Sequence, residues 1–447
     1  MELPDLRDRV TSLLPGVLDD LARLVAIPSV SSLPDRAGDV QATAETVAQL
    51  ARDLGCPDVR IVAEGGKPAV IAKFPAPEGA PTVCLYAHHD VQPTGEVDLW
   101  TSDPFTVTER DGRLYGRGVV DDKAGIAVHL AALRAFDGRP PVGVTLFVEG
   151  EEEIGSPSLA TLMEKHADDL AADVYVICDS ANWQVGTPAF TTALRGLSDV
   201  VVTVDTLDHA LHSGQYGGVA PDALTTLVQL LATLHDADGN VAVAGLDTEP
   251  PFALEYPEER LRAETGVLEG VTFTGTGPLA DRLWGRPSIT VLAIDCTRVA
   301  DASNTLAPTA RAKVSMRLAP SQDAAAALEA LKQHLYDHAP FGARVTFGAQ
   351  EAAGGSLVPL TGDVAEVARA AYSQAWGTDA VEVGQGGSIP LVGLFQQAFP
   401  GAEVLVTGVV DPDSRMHGID ESFDLGDFTN ACVAEATLLA RLAGLGS

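Results

Sequence analysis

An α/β domain built on a central, mostly parallel sheet and interrupted by an inserted α+β domain is the architecture this sequence predicts. Three observations lead there. Short apolar runs alternate with amphipathic segments through the first part of the chain, the pattern of strands and helices in layered α/β folds. The texture changes near residue 188, where half-exposed strand patterns and a long stretch rich in Gly, Pro and charge (237–290) take over. The α/β texture then returns near residue 362. At 447 residues the chain also exceeds what one hydrophobic core usually serves, so two domains are expected.

The elements follow in order. Residues 39–54 (DVQATAETVAQLARDL) repeat apolar side chains at three and four positions, which predicts a helix with one buried stripe. Residues 70–74 and 82–87 read as strands, 124–135 as a helix and 142–148 as a buried strand. A helix at 157–168 and a buried strand at 174–178 complete the first part. In the insert, 197–204 alternates like a half-exposed strand and 221–234 (PDALTTLVQLLATL) reads as a helix. Strand-like 312–318, a helix at 321–338 and strand-like 344–347 follow. A helix at 363–376, a strand at 403–406 and a closing helix at 425–443 restore the first texture. The expected division is 1–188 and 359–447 for the α/β domain, with 189–358 inserted between its halves.

Charge narrows the choice of partners. With 29 basic against 62 acidic residues, the formal charge is −33. Such a surface repels nucleic acid and anionic membranes, and neither is expected as a partner. No stretch is long and apolar enough to span a bilayer, and the N-terminus lacks the basic start and apolar run of a secretory signal. The five cysteines are scattered and form no CxxC pair, as in a reduced, cytoplasmic protein.

The chemistry collects where strands end. VCLYAHHD (83–90) is an apolar strand closing in a polar burst. The period of two puts His88 and Asp90 on one face and His89 on the other. VTLFVEGEEEIGS (144–156) ends in carboxylates, VYVICDS (174–180) ends at Asp179, and EVLVTG (403–408) leads to a loop carrying His417. GRGVVDDKAG (116–125) sets Asp121 and Asp122 just before a helix. Open α/β sheets bind ligands beyond the carboxyl ends of their strands. Taken singly, these residues would be helix caps and surface carboxylates, Asp121 and Asp122 capping the helix at 124. Taken together they are a mixed nitrogen and oxygen ligand set suited to Zn²⁺, Mn²⁺ or Co²⁺. Anions gathered this densely require a compensating cation.

Eight segments in order carry a resemblance. They are YAHHDVQP (86–93), GRGVVDDKAG (116–125), EGEEEIGS (149–156), ICDS (177–180), LHSGQYGG (211–218), the pair NTLAP (304–308) and SMRLAP (315–320), GGSIP (386–390) and HGIDE (417–421). Together they resemble the M20 family of metallopeptidases, most closely its carnosinase-type dipeptidase branch. The resemblance runs over residues 86–421.

The resemblance implies a metal-dependent peptidase acting on dipeptides or short peptides with two divalent ions, Zn²⁺ first among them. His88 and Asp179 would hold one ion, Glu153 and His417 the other, and Asp121 would bridge them. Asp90 would orient the His88 ring. Spacing leaves the register of Glu151–Glu153 open; the family pattern makes Glu152 the general base. In the insert, His212 would reach the active site of a partner subunit and steady the oxyanion, which implies a homodimer. Arg317 would grip the substrate's carboxylate, with Ser388, Thr305 and Asn304 nearby. Many relatives carry Arg-Glu before the GGSIP turn where this chain has Gly384-Gln385. The insert would act as a lid and dimerisation domain, and its long 237–290 stretch fits the dipeptidase branch better than small-lid deacylases. Two alternatives stand beside this reading: an N-acyl amino acid deacylase of the acetylornithine or succinyl-diaminopimelate type, and a non-catalytic metal-binding protein.

Overall fold

A computed structural model describes residues 3–387 and 390–445. Two compact units divide them. The first is made of the chain up to Thr192, Val358–Val383 and the stretch from Pro390 on; the second is Ala193–Leu357 with the short return from Gly384.

The first unit is built on a six-stranded sheet. In spatial order its strands are Asp58–Val62, Ala69–Phe74, Gly143–Glu149, Thr82–His88, Val174–Ile177 and Glu403–Val406. The first two pairings are antiparallel and the remaining three parallel. The sheet is therefore mostly parallel, as expected. Its central strands are mostly apolar and buried at nearly every position because helices cover both faces. On one face Val83, Leu85 and Ala87 join a core with the helices Ala37–Asp53, Lys123–Ala135, Gly362–Trp376 and Leu425–Leu442. On the other, Phe147 and Tyr175 meet Phe395 in the helix Pro390–Ala398.

A helix that the sequence reading left out opens the described chain. Leu3–Val25 buries Leu6, Val10, Val17, Leu21 and Leu24 at spacings of three, four and seven. Its apolar stripe runs on past Pro15, which lies inside the helix. The expected helix at 157–168 is two short ones, Leu159–Lys165 and Ala167–Leu170.

The second unit is α+β. Four antiparallel strands lie in the order Ser288–Asp295, Thr309–Leu318, Gly196–Asp205 and Arg344–Ala353. The helices Ala223–Ala232 and Ala324–Asp337 bury Leu227, Leu230, Leu328 and Leu331 with Val200, Val202 and Val314 of the sheet. Among the described residues no helix is long and apolar enough to cross a membrane. All five cysteines are free thiols.

Candidate metal centre

The four adjacent parallel strands of the first unit run toward the same end of the sheet, and their carboxyl ends carry the expected residues. His88 is the last residue of Thr82–His88, and Glu153 lies in the turn after Gly143–Glu149. Asp179 follows Val174–Ile177, and His417 lies in the loop after Glu403–Val406. Asp121 precedes the helix Lys123–Ala135. Its turn needs Gly118, whose φ is +73° and whose added Cβ would meet a Val91 methyl at 2.2 Å. The Asp121–Asp122 peptide bond is cis.

Two ligand groups result. The ligating atoms of His88, Asp122 and Asp179 lie within 4.8 Å of one another, as do those of Asp121, Glu153 and His417. Asp121 stands between the groups. Its Oδ1 is 3.0 Å from His88 Nε2, and its Oδ2 is 2.9 Å from His417 Nε2. Asp179 Oδ1 is 3.9 Å from His88 Nε2, and Glu153 Oε2 is 3.2 Å from His417 Nε2. Sequence reasoning treated Asp122 as a helix cap. It is one, accepting from the Gly125 N–H at 3.2 Å, and it also faces the His88 group. The Asp-Asp pair was the available signal, but capping alone accounted for its second member.

The His88 ring is fixed from its Nδ1 side. Its Nδ1 lies 3.0 Å from the Asp90 carbonyl oxygen and 3.4 Å from the Asp90 carboxylate. A proton on Nδ1 satisfies both and leaves Nε2 as the nitrogen presented to the site. The Asp90 carboxylate also accepts from the backbone N–H groups of Glu152 and Glu153, each at 3.2 Å. His89 turns away, with Nε2 2.8 Å from the Pro68 carbonyl, as the strand alternation requires.

The three consecutive glutamates separate by what their carboxylates touch. Glu151 accepts from the N–H groups of Lys67 (2.9 Å) and Ser158 (2.7 Å) and from the Ser158 hydroxyl. Glu153 faces His417 and accepts from the Gln92 N–H at 3.0 Å and its side-chain amide at 2.9 Å. The Glu152 carboxylate has no hydrogen-bond partner among the described residues.

The site's electrostatics match its donors. Burial, then neighbouring carboxylates, pushes Glu152 up to about 7, with His88 acting against them. Burial, followed by the surrounding carboxylates, also raises Asp122 and Asp179 well above the ordinary range. Hydrogen bonds to Asp121 and Glu153 push His417 up to about 10. These three carboxyl shifts and that of His417 each favour added positive charge. With two imidazoles, four carboxylates and no thiolate among the clustered atoms, the donor set fits two divalent cations of intermediate hardness.

The second unit groups other expected residues. His212 and Thr305 are register partners in a short antiparallel ladder, and the Asn304 carbonyl accepts from the Ser213 N–H at 2.9 Å. Nδ1 of His212 accepts from the Gly214 N–H at 3.0 Å. Arg317 lies in the strand Thr309–Leu318, and its guanidinium has no hydrogen-bond or ion-pair partner among the described residues. Ser388 lies outside the described residues. Gly384 has a clear reason: a Cβ there would meet Trp284 Cβ at 2.4 Å and Cγ at 2.5 Å. Trp284 is buried in an aromatic cluster with Phe252 and Tyr256, so an arginine cannot stand at 384 without displacing it.

An α/β sheet with two adjoining ligand groups at its carboxyl edge and a free carboxylate beside them defines a two-cation hydrolase. The sequence pattern of peptidase family M20/M25/M40 matches residues 84–441, and the chain belongs to that family. It is a metallopeptidase. It is 34% identical over 430 residues to a cysteinylglycine-S-conjugate dipeptidase of Corynebacterium striatum, covering 95% of this chain and 94% of that one. It is 30% identical over 371 residues to the human Beta-Ala-His dipeptidase, covering 77% and 72%. The solved structure of the dipeptidase Dug1p from Saccharomyces cerevisiae superposes with a TM-score of 0.77 at 25% identity, covering 99% of both chains.

Proposed function

We propose that this protein hydrolyses the peptide bond of dipeptides carrying a free C-terminal carboxylate, with Glu152 as general base. One observation carries the reading: Asp121 offers one oxygen to each ligand group while Glu152, beside it, remains uncommitted. His88 and Asp179 would hold one cation and Glu153 and His417 the other, with Asp121 within reach of both; Asp122 would join the His88 group. Zn²⁺ is the first choice, Mn²⁺ or Co²⁺ the alternatives. When bound, such ions polarise a carbonyl and acidify water.

The chain's own residues do the rest. Asp90 keeps the His88 ring turned so that Nε2 faces the site. Glu152 takes the proton of the attacking water and returns it to the departing amine. His212 donates to the developing oxyanion from the partner subunit of a homodimer. The bond from Gly214 to its Nδ1 supports this, because in the neutral ring it leaves the proton on Nε2. Arg317 receives the substrate carboxylate in its planar fork, with Thr305, Asn304 and Ser388 bonding the same end. The homodimer reading draws support from the edge strand Ser288–Asp295, which exposes Val291, Leu292 and Ile294. Residues 189–358 act as lid and dimerisation domain, and the free thiols suit a cytoplasmic enzyme.

The dipeptidase relatives favour neither alternative, deacylase or non-catalytic binder. Metal analysis of the purified protein, followed by a substrate panel, tests the proposal. Free-amine dipeptides, Cys-Gly and Beta-Ala-His among them, are expected to be cleaved, and N-acetyl and N-succinyl amino acids spared. Preference for the acylated substrates would make the protein a deacylase. Background activity with Zn²⁺, Mn²⁺ and Co²⁺ all tried would make it a binder.

A further inference from the structure

Glu421 closes the motif HGIDE and touches no candidate ligand side chain, yet it is fully buried. Its carboxylate lies along the turn that carries Asp121. Oε2 accepts from Arg117 Nη1 at 2.6 Å and from the Gly118 N–H at 3.0 Å. Oε1 accepts from the N–H groups of Val120 at 3.1 Å and of Asp121 itself at 3.2 Å.

Among the described residues Arg117 is the largest side chain buried this deeply. Its other terminal nitrogen, Nη2, donates to the carbonyl oxygens of His417 at 3.2 Å and Gly418 at 2.9 Å. The guanidinium carbon sits 5.4 Å from the centre of the Trp100 ring. The backbone it holds needs holding: His417 has φ of +62°, a left-handed conformation that a non-glycine residue keeps only when its surroundings impose it. Glu421 thus fixes the backbone of Asp121, and Arg117 fixes that of His417.

A buried ion pair is weak grounds for stability, because desolvating two charges offsets their attraction and an apolar pair of similar volume often serves as well. Apolar side chains could not gather three N–H groups of one loop and two carbonyls of another. We propose that Arg117 and Glu421 are a positioning pair that sets Asp121 against His417 and so builds the Asp121–Glu153–His417 cation site, while the His88–Asp122–Asp179 site depends on the pair only through Asp121. Neither residue touches substrate in this role, and the inference rests on the two-cation reading of the centre.

Stepwise Zn²⁺ titration of the stripped full-length protein by calorimetry tests it, with Co²⁺ absorption spectra identifying each step. The wild type is expected to bind two equivalents, and Asp179→Asn identifies the step belonging to the His88 group. Glu421→Gln and Arg117→Lys should each weaken the other step by roughly 10–100-fold and the His88 step, which shares only Asp121, by distinctly less. Arg117→Lys keeps the buried charge beside Glu421 while losing the fork to the two carbonyls, so it carries the test alone should Glu421→Gln not fold. Equal weakening of both steps, or of neither, in a folded variant overturns the positioning role while the two-cation reading stands. A wild type that does not take two equivalents overturns both.

Discussion

Nε2 of His88 stands 3.0 Å from Oδ1 of Asp121, while the other oxygen of the same carboxylate faces His417 at 2.9 Å. One aspartate thus joins a histidine at a strand end to a histidine in a loop far along the chain. Because each oxygen has its own histidine, the two ligand groups adjoin rather than merge.

Removing the free carboxylate separates binding from chemistry. Glu152→Gln keeps the shape of the side chain and all six clustered ligating residues. It is expected to bind two cations as the wild type does and to lose roughly 10²–10⁴-fold in turnover, the usual contribution of a general base. Elemental analysis alongside kcat measures this. Near-normal turnover with metal confirmed bound would remove Glu152 from the mechanism.

The proposed contribution of His212 across subunits predicts complementation. Chains carrying His212→Ala and chains carrying Glu152→Gln are expected to be inactive separately. Unfolded and refolded together, they should recover activity in the mixed dimers, since one of the two sites then combines an intact Glu152 with an intact His212. Mixed dimers purified through two different tags and found inactive would confine His212 to another role.

Gly384 and Trp284 compete for one space. Gly384→Ala puts a methyl where the Trp284 Cβ is 2.4 Å away and should destabilise the protein by about 1–3 kcal/mol through overpacking. Adding Trp284→Ala should make the double variant more stable than the two single effects summed. Denaturant unfolding of the four proteins measures the coupling; strict additivity would mean that the two positions do not compete.

Asp169 gives a pH dependence of known sign. Its Oδ2 meets Arg60 at 2.8 Å and its Oδ1 meets Lys73 at 3.2 Å. The Arg60 hydrogen bond foremost, with Lys73 adding and burial opposing, holds the carboxyl below its ordinary range. Because the folded pKa is depressed, the unfolded chain binds more protons from about pH 3.9 downward. The stability this group contributes is therefore complete above that window and lost as pH falls through it. The stability difference between wild type and Asp169→Asn should be present at about pH 6 and shrink below about pH 4. A difference that stays constant or grows toward acid contradicts the assignment.

Much of the site was legible in the sequence because strands impose a strict alternation. The polar residues closing VCLYAHHD, VTLFVEGEEE and VYVICDS had to lie at strand ends, and the period of two separated His88 from His89. The register of Glu151–Glu153 was not legible from spacing. Three adjacent carboxylates differ only in what they touch, and Lys67, Ser158, Gln92 and His417 are remote from one another in the chain.

The sequence by itself determined the α/β class, the inserted second texture and the family, since apolar periodicity and ordered motifs are local properties. Only the tertiary structure decided that Asp122 faces the His88 group while capping its helix, and that Trp284 fills the space at Gly384. The same holds for the grip of Arg117 and Glu421 on the loops of Asp121 and His417. Each of these is a contact between segments brought together by packing, and no spacing along the chain encodes which carboxylate will meet which backbone.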